Sequence, residues 1–141
     1  MLIKTNELPY LDFGTDVKRQ VRIISSPYTT GEQNMTITHV RMPAGAISES
    51  HIHEKCHEYI YFDIGGKAVV DGKAYDVPPQ GVIFARAGLR HECINNSGSD
   101  ILSLLCVFTP NWEPYGNFPD LIRLTKQHLM IPEKHGELHG L

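Results

Sequence analysis

The sequence predicts an all-β protein, an antiparallel sandwich or barrel, on three observations. Short runs rich in β-branched and aromatic residues fill the middle of the chain. Turn-forming residues separate these runs at about the eight-to-twelve-residue spacing of such folds. Helical periodicity is confined to the C-terminal end.

Taken in order, strands are expected at VRIISS (21–26), QNMTITHVRM (33–42), EYIYFDI (58–64), KAVVD (67–71), GVIFA (81–85), HECIN (91–95) and ILSLLCVF (101–108). Thr30-Gly31, Pro43-Ala44-Gly45, Gly65-Gly66, Asp71-Gly72, Pro78-Pro79 and Asn96-Ser97-Gly98 mark the connections. Asp71-Gly72 suits a tight hairpin whose two central residues both take positive φ. A helix is expected after Pro119 and Asp120, with Leu121, Ile122, Leu124 and Leu129 spaced for one buried face.

The 141 residues have the length of one domain, so 1–141 is read as a single unit with a C-terminal extension over 110–141. Thirteen basic and sixteen acidic side chains give a net charge of -3 without long runs of either sign. That balance recommends neither a nucleic acid nor a membrane as partner and leaves a small molecule as the expected one. MLIKTNELPYLDFGTD lacks the apolar core of a signal peptide, so a cytoplasmic location is expected. Cys56, Cys93 and Cys106 are odd in number and widely spaced, which predicts reduced thiols rather than a disulfide framework.

Chemistry concentrates at His51, His53, His57 and Glu58, with His91 further along. Imidazole nitrogens and carboxylate oxygens are the usual ligands of first-row transition metals. Two readings compete. His53 to His57 spells HExxH, which binds zinc when both histidines share a helix face. The following run, EYIYFDIGG, favours strand over helix, and Ile60 stands where an extended protease motif has glycine. On a strand, His51 and His53 project from one face, and a turn at 54–56 lets the next strand present a further ligand. Glu58 then shares the phase of Ile60, Phe62 and Ile64, and a carboxylate pointing into an apolar interior calls for a cation.

The same residues resemble the first motif of the cupin family, G-x5-H-x-H-x4-E-x6-G, matched by Gly45, His51, His53, Glu58 and Gly65. The second, G-x5-P-x-G-x2-H-x3-N, is met by Gly88, His91 and Asn95. Arg86 replaces its proline, and Gln80 its first glycine, with Gly81 one residue late. The motifs lie within 45–95. The resemblance implies an antiparallel jelly-roll β-barrel, the double-stranded β-helix, with a short C-terminal helix added here. It also implies one divalent transition metal (Fe, Mn, Ni, Co, Cu or Zn) held by His51, His53, Glu58 and His91. Some cupins have one residue fewer before the acidic ligand, which makes His57 the rival to Glu58. Others lack bound metal, so a histidine cluster that is merely hydrogen-bonded in a core is the plain alternative.

By strand phase, Ile60, Phe62, Val82 and Phe84 are expected to line the pocket with Cys93, and Arg86 to stand at its mouth. Cys93 is either a pocket thiol or a small buried hydrophobe, and Arg86 either a carboxylate-binding fork or a rim residue. Three imidazoles and a carboxylate leave open positions on an octahedral ion, and an apolar lining suits a compact substrate. Ile60 occupies the place of the tyrosine in an isomerase-like E-x-Y pattern, which argues against sugar-phosphate isomerisation. The expectation is a metal-dependent small-molecule enzyme, most concretely an iron-type oxygenase (dioxygenase) of a chelating oxygen-bearing substrate. A non-catalytic cupin that binds or senses a ligand, a cupin lyase or isomerase, and a structural barrel are the alternatives. A homodimer is expected too, through the residues before 21, as cupins commonly form.

Overall fold

The computed structural model describes residues 1–14, 19–110 and 119–132. After a 3-10 turn at Thr5–Glu7 come ten strands: β1 (Leu11–Phe13), β2 (Arg19–Ser25), β3 (Thr36–Met42), β4 (His51–Ile52), β5 (His57–Phe62), β6 (Gly66–Val70), β7 (Lys73–Val77), β8 (Val82–Ala85), β9 (Arg90–Ile94) and β10 (Leu102–Thr109). A single helix, α1 (Pro119–His128), follows. All strand pairs are antiparallel and form a six-stranded sheet, β1-β2-β3-β10-β5-β8, and a four-stranded sheet, β4-β9-β6-β7. This is the expected jelly-roll arrangement, with its two sheets sharing one core rather than joining into a continuous cylinder.

Alternation explains why the sheets stack. β3 buries Thr36, Thr38, Val40 and Met42, and β10 buries Leu102, Leu104, Cys106 and Phe108. Ala68, Val70 and Cys93 from the smaller sheet close on the same core as Val21, Ile60 and Phe62 from the larger. Burying one apolar face of each sheet is the main driving force for this packing.

All seven expected strands are present, and three more appear. β1 and β4 are only three and two residues long, too short for a periodic signal. β7 is exposed at its first four residues, so it lacks the alternation that marks a half-buried strand. The hairpin between β6 and β7 turns where expected, with Asp71 at φ 51° and Gly72 at φ 77°. Helix α1 begins at Pro119 as anticipated, but its buried face is Leu121, Ile122, Thr125 and Lys126. Leu124 is exposed and Leu129 lies beyond the helix, because positions one and four apart, not three and eight, face β2. Leu121 and Ile122 pack on Ile23 there. Most of the expected C-terminal extension, residues 111–118 and 133–141, lies outside the described residues.

The glycine and asparagine of the two motifs have structural work. Gly65 sits at φ 82°, and a Cβ there would lie 2.6 Å from the Val77 carbonyl oxygen. Buried Asn95 donates from its side-chain amide to the carbonyls of Met42, Pro43 and Asp100 at 3.0, 3.0 and 2.8 Å, and so ties β9 to the loops on either side. Gln80, in the place of a glycine, holds φ 65° while its N–H donates to the Phe62 carbonyl at 2.8 Å. Among the described residues no helix is long and apolar enough to cross a membrane.

Candidate metal centre

Four residues from three strands and a loop converge between the sheets. His51 lies on β4 directly opposite His91 on β9. His53 follows β4 by one residue, in a stretch pinned by the Gly88 N–H donating to its carbonyl at 2.9 Å. The chain bends at 54–55 and returns as β5, which carries Glu58 in from the opposite sheet. One ligand atom from each of His51, His53, Glu58 and His91 lies within 4.8 Å of all the others. The three imidazole centroids are 4.4 to 5.0 Å apart and their planes cross at 53° to 67°, so the rings splay around a centre rather than stack.

Glu58 is the hub. Its Oε1 is 3.1 Å from His53 Nε2 and 2.9 Å from His91 Nε2. Burial alone would raise its pKa, but the hydrogen bonds and charges of His53 and His91 outweigh that and hold it at about 2. The partners shift as well. Burial lowers the pKa of His51, whereas at His91 the bond to Glu58 overcomes burial and raises it. His51 Nδ1 is 2.6 Å from the Glu49 carbonyl and His91 Nδ1 3.2 Å from the Leu89 carbonyl. Donation from Nδ1–H in each pair is the usual outer support of a metal-ligating histidine; it leaves His51 Nε2 with a free lone pair, whereas His91 Nε2 donates to the Glu58 carboxylate and could ligate only after losing that proton.

These residues fit a single ion. Donors on one first-row ion at about 2.1 Å lie at most about 4.2 Å apart, so a small contraction of the cluster would bring all four into range. The buried carboxylate supplies the negative charge that a divalent cation would offset.

The cluster lines a cavity of about 330 Å³. Its wall is mainly apolar, with Val21, Val40, Met42, Ile60, Leu104 and Phe108 prominent. Ile60 and Cys93 line it as expected, and Cys106 joins them. Other expectations need correction. Phe62 points inward but is buried in the core beyond the cavity lining. Val82 and Phe84 face outward, 55% and 44% exposed. Their phase is set by pairing: Glu58 opposes Ala85 and Ile60 opposes Ile83, so an inward Glu58 turns Ile83 and Ala85 inward too. GVIFA is apolar on both phases, so its alternation could not reveal which one faces in. Phe84 instead stacks on Tyr59 outside, with centroids 4.8 Å apart. Arg86 is exposed and absent from the cavity wall, because it follows the inward Ala85 at the end of β8.

The cavity's cation is Arg19 rather than Arg86. It opens β2 in phase with the buried Val21 and Ile23, so strand alternation was the signal that could have placed it inward. His57 takes no part in the cluster; its Nδ1 accepts the Ala87 N–H at 2.9 Å. The three cysteines are buried and unpaired. Burial, with the charge of Glu58 adding to it, pushes the Cys56 thiol up to about 11 and raises Cys93 and Cys106 further.

Comparison with known proteins bears on the fold and the family. A family model described as "Cupin domain" matches residues 38–108. KdgF from Halomonas sp. has a similar structure, at 17% identity and TM-score 0.67 over 80% of this chain and 96% of that one. A predicted oxalate decarboxylase from Thermotoga maritima superposes with TM-score 0.69 at 18% identity, over 78% of this chain and 99% of that one. A sugar phosphate isomerase from Silicibacter pomeroyi shares 21% identity and TM-score 0.55 over 64% of this chain and 59% of that one. Among curated proteins none matches.

Proposed function

The chain belongs to the cupin family, and from that membership we propose that it is a metal-dependent enzyme acting on a small molecule, most concretely an iron-type oxygenase of a chelating, oxygen-bearing substrate. The observation that carries this reading is the convergence of three imidazoles and one buried carboxylate on an apolar cavity. His51, His53, Glu58 and His91 would hold one divalent transition ion, with Glu49 and Leu89 carbonyls orienting two of the rings. An ion held there supplies Lewis acidity to a chelating oxygen and, if it is iron, redox chemistry with O2.

The chain's own residues do the rest. Val21, Val40, Leu104 and Phe108 exclude water and give room for a compact substrate. Ile60 puts a hydrocarbon where a hydroxyl would be needed for proton transfer beside the cluster, which disfavours isomerisation. The fold alone is compatible with decarboxylase or isomerase chemistry, as the similar structures illustrate. A reducing, cytoplasmic compartment belongs to the same reading and is supported by three free buried thiols. So does a homodimer, for which the residues before 21 are the expected contact and an outward face on which Tyr59, Tyr61, Val82, Phe84 and Leu105 are exposed together on neighbouring strands offers a second.

The test is metal analysis of untagged protein, followed by anaerobic loading with ferrous iron and a substrate screen read by O2 consumption. The expected result is about one transition ion per chain and turnover that His51→Ala and His91→Ala abolish with the fold intact. Absence of any bound transition metal overturns the reading. Metal and ligand binding without turnover would identify a non-catalytic binder, and turnover without O2 uptake a lyase or isomerase.

A further inference from the structure

Arg19 is a buried cation facing the cavity without a counter-charge of its own. It is 7% exposed and lines the same cavity as the histidine cluster. Among the described residues no hydrogen bond or ion pair engages its guanidinium, whose carbon lies over the Phe13 ring, 5.0 Å from the centroid. A ring face answers part of the charge but none of the five N–H donors. Its N–H donors instead open onto the cavity, where a ligand with acceptor oxygens could complete them. Arg22, three residues on and also buried, does not line the cavity, so the inward aim is particular to Arg19.

We propose that Arg19 is the substrate-anchoring residue of this cavity and that the substrate carries a carboxylate, gripped by the guanidinium while its chelating oxygens face His51, His53, Glu58 and His91. Planarity favours the carboxylate: the guanidinium fork matches two coplanar oxygens in a bidentate pair. Charge favours it over phosphate, since Arg19 is the sole Lys or Arg in the wall and the remaining surface is mainly hydrocarbon. A dianion would leave charge uncompensated there. The Phe13 ring, 5.0 Å from the guanidinium carbon, lines the same cavity. This inference deepens the metal-enzyme reading and rests on it for the second anchoring point.

Cobalt-loaded protein is titrated by calorimetry with the monoanions pyruvate and lactate, with their amides pyruvamide and lactamide, and with inorganic phosphate. Wild type is compared with R19Q, R19K and R19M. Acids should bind wild type more tightly than amides, and R19Q should lose about tenfold or more of the affinity for acids with little change for amides. R19K should recover part of the loss. The cobalt absorption spectrum, which reports the ion's ligands, should be the same in all four proteins. Melting separates an anchoring from a structural role, because removing an unpaired buried charge should leave R19M as stable as wild type or more so. Equal affinity for acid and amide, no loss in R19Q, phosphate bound ahead of both acids, or a destabilised R19M each overturns the proposal. If wild type takes up no cobalt, the metal reading fails by itself. The acid-against-amide comparison in R19Q, repeated on metal-free protein, then decides Arg19 separately.

Discussion

His57 and Glu58 are adjacent in the chain and serve opposite sides of β5. Glu58 turns inward, where its Oε1 meets His53 and His91, while His57 turns away and accepts the Ala87 N–H at 2.9 Å. One peptide unit thus divides a centre from its scaffold, as strand alternation requires. Glu58→Gln should lower affinity for a divalent transition ion by about 100-fold or more, since even outer-shell losses reach that size. His57→Ala should keep the affinity and cost about 1 kcal/mol of stability through the lost hydrogen bond. Competition titrations against a chromophoric chelator, with thermal melts, check both. Metal loss in His57→Ala alone would reverse the assignment.

Protons compete with metal at this centre. His91 has a raised pKa in the metal-free protein, because the bond to Glu58 outweighs burial, so its proton must leave before it can ligate. Metal affinity should therefore rise with pH through and above the ordinary histidine value of 6.5. Metal-free stability should run the other way. The raised His91 contributes fully below 6.5 and loses its contribution as pH rises through its folded pKa. Glu58, held at about 2, contributes above its ordinary 4.5 and loses it as pH falls below that. His51, whose pKa burial lowers, acts the other way and costs stability as pH falls below 6.5, so metal-free protein is expected to melt highest toward the upper end of the window from pH 4.5 to 6.5. The upward shift in Tm caused by metal should grow above that window, measured by calorimetry across pH 4 to 9.

The thiols should be silent in the native state. All three are buried, and burial raises every one of their pKa values. Reaction with a disulfide reagent at about pH 8 should be slow in folded protein and yield three equivalents on unfolding. A fast-reacting equivalent in the folded state would show one of them to be accessible.

Gly65 and Gly72 both hold positive φ, yet substitution should affect them differently. An alanine methyl at 65 would meet the Val77 carbonyl at 2.6 Å and Pro79 N at 2.8 Å, whereas nothing lies within 4 Å at 72. Gly65→Ala should cost about 3 kcal/mol, or about 10 °C in Tm, and Gly72→Ala about 1 kcal/mol. Parallel thermal melts distinguish the two.

If the outward face around Tyr59 and Phe84 joins two copies, sedimentation should give the mass of a dimer. Phe84→Glu should then shift it toward monomer while leaving metal uptake unchanged, because Phe84 is 44% exposed and stands outside the cavity. A monomeric wild type would contradict this expectation.

Much was legible in the sequence because the physics is local. Strand alternation put His51 and His53 on one side, the phase of EYIYF put Glu58 and Ile60 inward, and Asp71-Gly72 announced its turn. The motif spacing named four residues that the fold does bring together. Val82, Phe84, Arg86 and Arg19 depended on something else. GVIFA can face either way by its own pattern, and only register against β5 selects Ile83 and Ala85 for the interior. Arg19 shares the phase of Val21 and Ile23, but its charge reads as a surface cation until the fold places that face of β2 on the cavity wall. Its isolation there follows from which side chains other strands bring close. The chain therefore determined the class of fold through period, and its resemblance to the cupin motifs named the four-residue cluster. Tertiary structure decided the pocket, because a cavity is what the facing sides of separate strands leave between them.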